Sequence, residues 1–414
     1  MKKVLIIAGE PSADLHGANL VKAIKSQLLK DKSPTQASLG YPAPFTKRGI
    51  GGITTGEGAG INKNEDVEFI GIGGMLMQQA GVRIIFDADR IAVVGVSEVI
   101  RHLGMINRAF KTAVRTAYDE HVDLGILIDF PDFNLRLAKK LYEKGIPLVY
   151  YISPQVWAWR KSRIKKIAKY FKQVLVIFKF EEDIYREAGI NVAFVGHPLI
   201  KEVKMSDSRP NLLKKYGVPV DRRVIAMLPG SRASEVRRHL PIMLKTAMLL
   251  KDAHKELFFV VPVLASQAEM CMQVISGYDL PIKLIVDDTY NAVGASDFAV
   301  VTSGTATLET ALLGIPMIII YKVSLLSHII AKMLLSIKRI GIVNIATGDD
   351  IVPELVQDDL SPGRLARKID EYLKDSAAYS KMIEGYSRLR NVLSSMDASR
   401  RAAQEVISLL RAEV

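Results

Sequence analysis

Two stretches of this chain carry residue types that suit an anionic sugar derivative. Ser303-Gly304-Thr305-Ala306-Thr307-Leu308-Glu309 follows a strand-like apolar run, Asp297–Val301, and leads into a helical pattern. Small residues and hydroxyls at a strand-to-helix turn suit a phosphate. Backbone N–H groups and the positive end of the helix dipole attract the anion, and nothing bulky holds it off. Glu309 at the end of the stretch suits a sugar diol. Leu228-Pro229-Gly230-Ser231-Arg232 repeats the arrangement after another strand. There Gly230 allows close backbone approach and Arg232 offers a guanidinium fork for phosphate oxygens. Two such turns in one half place a nucleotide in that half.

The first half offers different chemistry. Its first apolar run ends in Gly9-Glu10-Pro11-Ser12-Ala13-Asp14-Leu15-His16. Glu10, Ser12, Asp14 and His16 can each hydrogen-bond a sugar. Equally, Ser12 or Asp14 can cap the helix that follows, and His16 can be a structural histidine. Further on, Ile128-Asp129-Phe130-Pro131-Asp132-Phe133-Asn134 sets two carboxylates at a strand end, beside a rigid proline and aromatic rings. Burial among such rings raises a carboxyl pKa toward the range of a general base. Asp132 or Asn134 is placed to cap the next helix, which leaves Asp129 as the base. The two tryptophans, Trp157 and Trp159, lie in Ser153–Arg160, beside Arg160, Lys161 and Arg163. They suit packing under a sheet or contact with a sugar, acyl chain or membrane boundary.

Positioning these residues requires strands whose C-terminal ends converge. Apolar runs expected as strands are Val4–Ala8, Phe69–Ile72, Leu124–Ile128, Leu148–Ile152, Gln173–Ile177 and Ala193–Val195. A second series is Val224–Leu228, Leu257–Val261, Lys283–Val286, Phe298–Val301 and Met317–Tyr321. Amphipathic helical patterns alternate with both series, so the fold class is α/β with two Rossmann-like halves. The turn-rich, charged stretch Gly196–Pro210 is the expected linker. Asp31–Asp66, rich in Gly, Thr, Pro, Ser and Asn, reads as a mobile surface insertion, since structureless stretches of that length are unusual inside a compact domain.

Bulk properties narrow the class. A chain of 414 residues, 49% hydrophobic and 24% charged, is globular and long enough for two cores. A net charge of +12 favours anionic partners such as nucleic acid, anionic membrane or phosphorylated substrates. Beyond that charge no nucleic-acid-binding module is visible, and a nucleic-acid partner is not expected. One cysteine, Cys271, excludes a disulfide within the chain. The seven histidines show no paired metal-ligand spacing. No apolar run is long enough to span a bilayer. The basic segment Lys322–Arg339 suits either an amphipathic helix on lipid or burial in the second domain.

Taken in order, Ala8–Ser12, Asp129–Asn134, Ser153–Arg160, Leu228–Arg232 and Ser303–Glu309 resemble the lipid-A-disaccharide synthases, bacterial glycosyltransferases of outer-membrane lipid A biosynthesis. The resemblance covers nearly the whole chain except Asp31–Asp66. It implies the GT-B architecture: two Rossmann-like domains whose parallel sheets face a central cleft. Residues 1–198 would form the acceptor-side, membrane-facing domain and 199–386 the UDP-sugar domain. The helices in 387–414 would pack back on the first. It further implies transfer of 2,3-diacylglucosamine from UDP to 2,3-diacylglucosamine 1-phosphate (lipid X), with inversion and with neither metal nor other cofactor. By position, Asp129 matches the base for the acceptor 6-hydroxyl, Arg232 the arginine at the UDP phosphates and Glu309 the ribose position. Asn344 matches a further nucleotide-side residue. Glu10, Ser12, Asp14, His16, Trp157 and Arg160 fall on the acceptor side.

The family usually has glycine where Ala13 stands, which alters the first loop if that position needs a positive φ. The resemblance also implies a cytoplasmic enzyme peripheral to the anionic inner membrane, approached through Ile100–Tyr118 with Arg101, Arg108, Lys111 and Arg115. A homodimer is among its possible states. A UDP-sugar 2-epimerase of the same fold and a non-catalytic nucleotide-sugar-binding protein at a membrane surface are the alternatives.

Overall fold

The computed structural model describes residues 1–32, 67–90, 96–154, 156, 162–323, 339–393 and 397–412. Trp157, Trp159 and Arg160 lie outside them, as do most of Asp31–Asp66 and of Lys322–Arg339. Seven strands build the first sheet: β1 Lys2–Ala8, β2 Val67–Gly73, β3 Val82–Asp87, β4 Leu124–Ile128, β5 Leu148–Tyr151, β6 Gln173–Val176 and β7 Val192–Phe194. Their order is β3-β2-β1-β4-β5-β6-β7. The second sheet contains β8 Arg223–Leu228, β9 Leu257–Val263, β10 Ile282–Val286, β11 Phe298–Thr302, β12 Met317–Tyr321 and β13 Glu354–Val356. It runs β10-β9-β8-β11-β12-β13. Every expected strand forms. The sequence reading missed β3 and β13, both at sheet edges, so the strand that ends before Asp129 is the fourth rather than the third.

The central strands read as unbroken apolar runs because helices cover both sheet faces. Val4 to Ala8 are fully buried, as are Ile126, Leu127 and Ile128 of β4. In the second sheet alternate residues serve opposite cores. Val224, Ala226 and Leu228 pack with Tyr386 and Leu389, whereas Ile225 and Met227 pack with Leu240 and Leu244.

Both sheets are wired alike. The first strand lies inside the sheet, the chain steps outward to one edge, then returns to build the other side. The direction reverses between β1 and β4 and between β8 and β11, where the loops after paired strands diverge and leave a crevice. Parallel register sets those loops level: Ala8 pairs with Ile128, and Leu228 with Val301. The loops beginning at Gly9, Asp129, Pro229 and Ser303 leave from these four strand ends, and Ser153–Arg160 follows β5.

Two compact units divide the chain. One comprises Met1–Pro154, Lys165–Leu175 and Ser399–Val414, the other Gln155–Ile164 and Val176–Ala398. The helix Ala398–Ala412 is tied to the first unit, where Gln173 Nε2 donates to Glu405 Oε2 at 2.7 Å and Gln27 Nε2 to the Arg400 carbonyl at 2.7 Å. The helix Ser376–Leu393 instead sends Tyr386, Leu389 and Leu393 into the second unit's core. Among the described residues, no helix is long and apolar enough to cross a membrane.

Candidate active site

Asp129 is the first residue beyond β4, and its backbone is left-handed with φ 44°, followed by Phe130 at φ 45°. Consecutive left-handed residues with side chains are costly, about 1–2 kcal/mol each. Several bonds hold this pair. Asn134 Nδ2 donates to the carbonyls of Ile128 at 3.1 Å and Asp129 at 2.7 Å, and the Tyr150 hydroxyl donates to the Asp129 carbonyl at 3.0 Å. The Asp129 N–H donates to the Tyr151 carbonyl at 3.1 Å. Phe130 stacks on Phe133 with centroids 5.2 Å apart. Its ring also lies against Gly9, where an added Cβ would sit 2.3 Å from Phe130 Cδ1. Glycine at position 9 is therefore a packing requirement.

Asp129 is partly buried, and its carboxyl pKa is raised to about 6. Burial is the main cause and the negative charge of Glu10 the second, opposed by a hydrogen bond from the Phe130 N–H and by His16. Such a carboxylate is ionised at neutral pH yet basic enough to take a proton from a hydroxyl. Glu10 and His16 thus act electrostatically on Asp129, and Ser12 is exposed in the first turn of the helix Pro11–Lys32.

Two expected ligand or cap residues serve the scaffold instead. Asp14 is buried and accepts hydrogen bonds from the N–H groups of Gly74 (2.7 Å), Leu76 (3.0 Å) and Met77 (3.2 Å), so it caps the distant helix Met75–Gln79. Its carboxylate is directed to that helix rather than to a sugar. Asn134 does not cap the helix Pro131–Tyr142, because its amide reaches back to the preceding carbonyls.

In the second unit, the turns after β8 and β11 border a cavity of about 420 Å³. Gly230, Ser231, Arg232, Ser303, Gly304, Thr305, Ala306 and Glu309 all line it. Gly230 has φ 118°, and a Cβ there would also lie 2.5 Å from Glu235 Oε2, so this turn requires glycine. Glu235 shapes the turn, accepting from the N–H groups of Ser231 (3.1 Å) and Arg232 (3.2 Å) and from Arg232 Nη1 (3.0 Å). The Arg232 side chain is otherwise exposed. At the second turn, Ser303 Oγ donates to the Ile340 carbonyl at 2.8 Å. Thr307, fully buried behind the lining, donates its hydroxyl to the Gly304 carbonyl at 2.8 Å. Thr307 therefore stiffens the turn and does not line the cavity.

Glu309 projects from the helix Thr305–Leu312, and the Tyr290 hydroxyl donates to its Oε1 at 2.8 Å. Burial raises the Glu309 pKa, and the bond from Tyr290 opposes that rise. Asn344 is only 1% exposed and does not line the cavity. Its Oδ1 accepts from the Ile351 and Val352 N–H groups and its Nδ2 donates to the Val352 carbonyl and Glu354 Oε1. The expected direct nucleotide contact is replaced by a brace on the following loop.

Sequence reasoning passed over His239, Tyr290 and Gln267. His239 is buried beneath both turns. Its Nε2 lies 3.0 Å from the Lys322 N–H, and its Nδ1 lies 3.1 Å from the Pro229 carbonyl and 3.2 Å from Thr302 Oγ1. Nε2 also lies 3.2 Å from the Lys322 carbonyl, so each ring nitrogen has a partner whichever of the two carries the proton. Burial lowers the His239 pKa and keeps the ring neutral. Tyr290 has a faint signal, an aromatic just after a strand end in Asp287-Asp288-Thr289-Tyr290. His239 and Gln267 sit inside helical patterns and give none.

Two Rossmann-like parallel sheets, each with a crevice at its reversal point, define the GT-B class of α/β proteins. The UDP-N-acetylglucosamine 2-epimerase from Neisseria meningitidis, solved bound to UDP-GlcNAc, has this fold. It matches with a TM-score of 0.62 at 10% identity, covering 99% of this chain and all of that one. The family is given by sequence. The lipid-A-disaccharide synthetase family model matches residues 57–409, and a lipid-A-disaccharide synthase of Syntrophus aciditrophicus is 42% identical over 99% of this chain and 98% of its own. One from Geobacter metallireducens is 38% identical over 99% and 97%. The chain belongs to the lipid-A-disaccharide synthase family of glycosyltransferases.

Proposed function

We propose that this protein transfers 2,3-diacylglucosamine from its UDP carrier to 2,3-diacylglucosamine 1-phosphate. The products are the β-1,6-linked disaccharide 1-phosphate and UDP. The full-length family match carries this reading, and the site geometry supports the roles of individual residues. The acceptor 6-hydroxyl oxygen bonds to the donor's anomeric carbon while the bond from that carbon to the diphosphate breaks. UDP departs with the electron pair while Asp129 takes the hydroxyl proton, and attack on the face opposite the leaving diphosphate inverts the anomeric configuration. Arg232 and the turns at Gly230–Ser231 and Ser303–Thr305 bind the diphosphate, stabilising its charge as it leaves. Glu309, oriented by Tyr290, takes the ribose hydroxyls. Asn344 and Thr307 act from behind, through the loops that they brace.

Acylated substrates have to be met at a lipid surface. The helix Val96–Asp119 exposes Leu103, Arg108, Lys111 and Arg115, a mixed apolar and basic set suited to anionic headgroups. The proposed location is thus peripheral on the cytoplasmic face of the inner membrane. Incubation with the diacylated UDP-sugar tests the whole reading: UDP and disaccharide are expected only when lipid X is added. UDP release indifferent to lipid X, or none at all, would overturn it. Sedimentation with anionic vesicles, weakened by salt, tests the surface contact.

A further inference from the structure

We infer that Gln267 is a specificity-determining residue of the donor cavity, whose Oε1 accepts a hydrogen bond from an O–H or N–H group of the bound nucleotide sugar. Gln267 lies in the first turn of the helix Ala265–Ile275, directly after β9, and lines the cavity while only 5% exposed. Its Nε2 donates to the Ser231 carbonyl, which fixes the orientation of the amide. A flipped amide would set two acceptor oxygens against each other. Oε1 is therefore the remaining polar atom, and it is buried without a protein partner. Buried acceptors are almost always matched, so a lone one in a cavity wall points to a donor on the ligand.

The other polar groups of the cavity are differently committed. Glu309 already accepts from Tyr290, and Arg232 can only donate. Gln267 adds a neutral acceptor, which discriminates without a charge of its own. A ligand that presents a donor there is favoured, and one lacking it leaves Oε1 unmade. The tie to Ser231 anchors Gln267 beside the phosphate turn. On a UDP-sugar three groups qualify: the uracil imide N–H, a ribose hydroxyl, and a hydroxyl or acylamide N–H of the transferred sugar.

This inference rests on the cavity being the nucleotide-sugar site, which UDP calorimetry on the unaltered chain and on Arg232→Ala tests separately. If the unaltered chain does not bind UDP, or Arg232→Ala binds it equally well, the site assignment fails. Given that binding, UDP is compared with N3-methyl-UDP, 2′-deoxy-UDP, 3′-deoxy-UDP and UDP-N-acetylglucosamine. On the unaltered chain the matched donor is expected to be worth on the order of tenfold in affinity. The gap falls on N3-methyl-UDP for the base, on a deoxy analogue for the ribose, or on UDP against UDP-N-acetylglucosamine for the sugar. Gln267→Leu should erase that gap. Gln267→Met replaces the leucine variant if that one does not fold. Damage to the Ser231 turn alone would weaken every ligand equally and leave the gap intact. That result, or an unaltered chain showing no gap, overturns the inference.

Discussion

The loop after β4 and the loop after β11 hold equivalent places in two similarly ordered sheets, yet they solve opposite problems. After β11 the chain borders the cavity with Ser303-Gly304-Thr305, which keeps side chains small. After β4 it must present a carboxylate, so glycine is unavailable and Asp129 and Phe130 themselves take left-handed backbone. Neighbouring side chains bear the strain: Asn134 and Tyr150 hold the carbonyls, and Gly9 leaves room for the Phe130 ring. The first loops differ likewise, with Glu10 adding negative charge near Asp129 and Arg232 adding positive charge at the cavity. One wiring diagram thus carries the proposed proton acceptor in one unit and the proposed anion cradle in the other.

The largest expected effect breaks this division if it is wrong. Asp129→Asn should lower turnover by about 10²–10⁴-fold, the usual worth of a general base, with UDP affinity by calorimetry unchanged. A parallel loss of affinity would mean that the two loops share one task. Next, Arg232→Ala should cost about 1.5–3 kcal/mol of UDP binding, roughly 10–100-fold, the worth of charged hydrogen bonds. Arg232→Lys should recover only part, since an ammonium cannot form the bidentate fork.

The third effect concerns stability against pH. The folded Asp129 pKa of about 6 lies above the ordinary 3.8, so the folded state binds the proton more tightly. Stability from this group is present in full below about pH 3.8 and is lost as pH rises through about 6. After allowance for residual solvent contact, the loss is about 2 kcal/mol. Asp129→Asn should remove that slope in urea titrations and leave a more stable, inactive protein at pH 7. Activity of the unaltered enzyme should rise with pH across the same window. Smallest is Tyr290→Phe, which frees Glu309 from its partner and should change UDP affinity by about 1 kcal/mol or less, with turnover of bound donor unaltered.

Central strands were legible from sequence because covered sheet faces require continuous apolar runs, as in Val4–Ala8 and Met317–Tyr321. The edges were not. Only Val82 of β3 is buried, and β13 is three half-buried residues that follow a proline, so neither has the contrast that marks a strand. The site shows a similar limit. Residue types pointed to Asp129, Arg232 and Glu309; the fold raises the carboxyl pKa of Asp129 and sets Arg232 and Glu309 on one cavity. They could not reveal that Asp14 meets N–H groups some sixty residues away, or that Asn344 is saturated by Ile351, Val352 and Glu354. A polar side chain announces what it can bond, while the fold decides which partner arrives first. His239 makes the converse point, since a histidine inside a helical pattern proves to hold two turns together.

The cap that Asp14 places on Met75–Gln79 also bears on chain length. Lys2 pairs with Val67 and Ile7 with Ile72, and Asp14 then grips Gly74 to Met77, so both ends of the intervening connection are fastened within the first sheet and its helices. Closure entropy grows only with the logarithm of loop length, about 0.6 kcal/mol per doubling. The pairing of β1 with β2 and the Asp14 cap thus fix the two anchors whatever length of chain joins them.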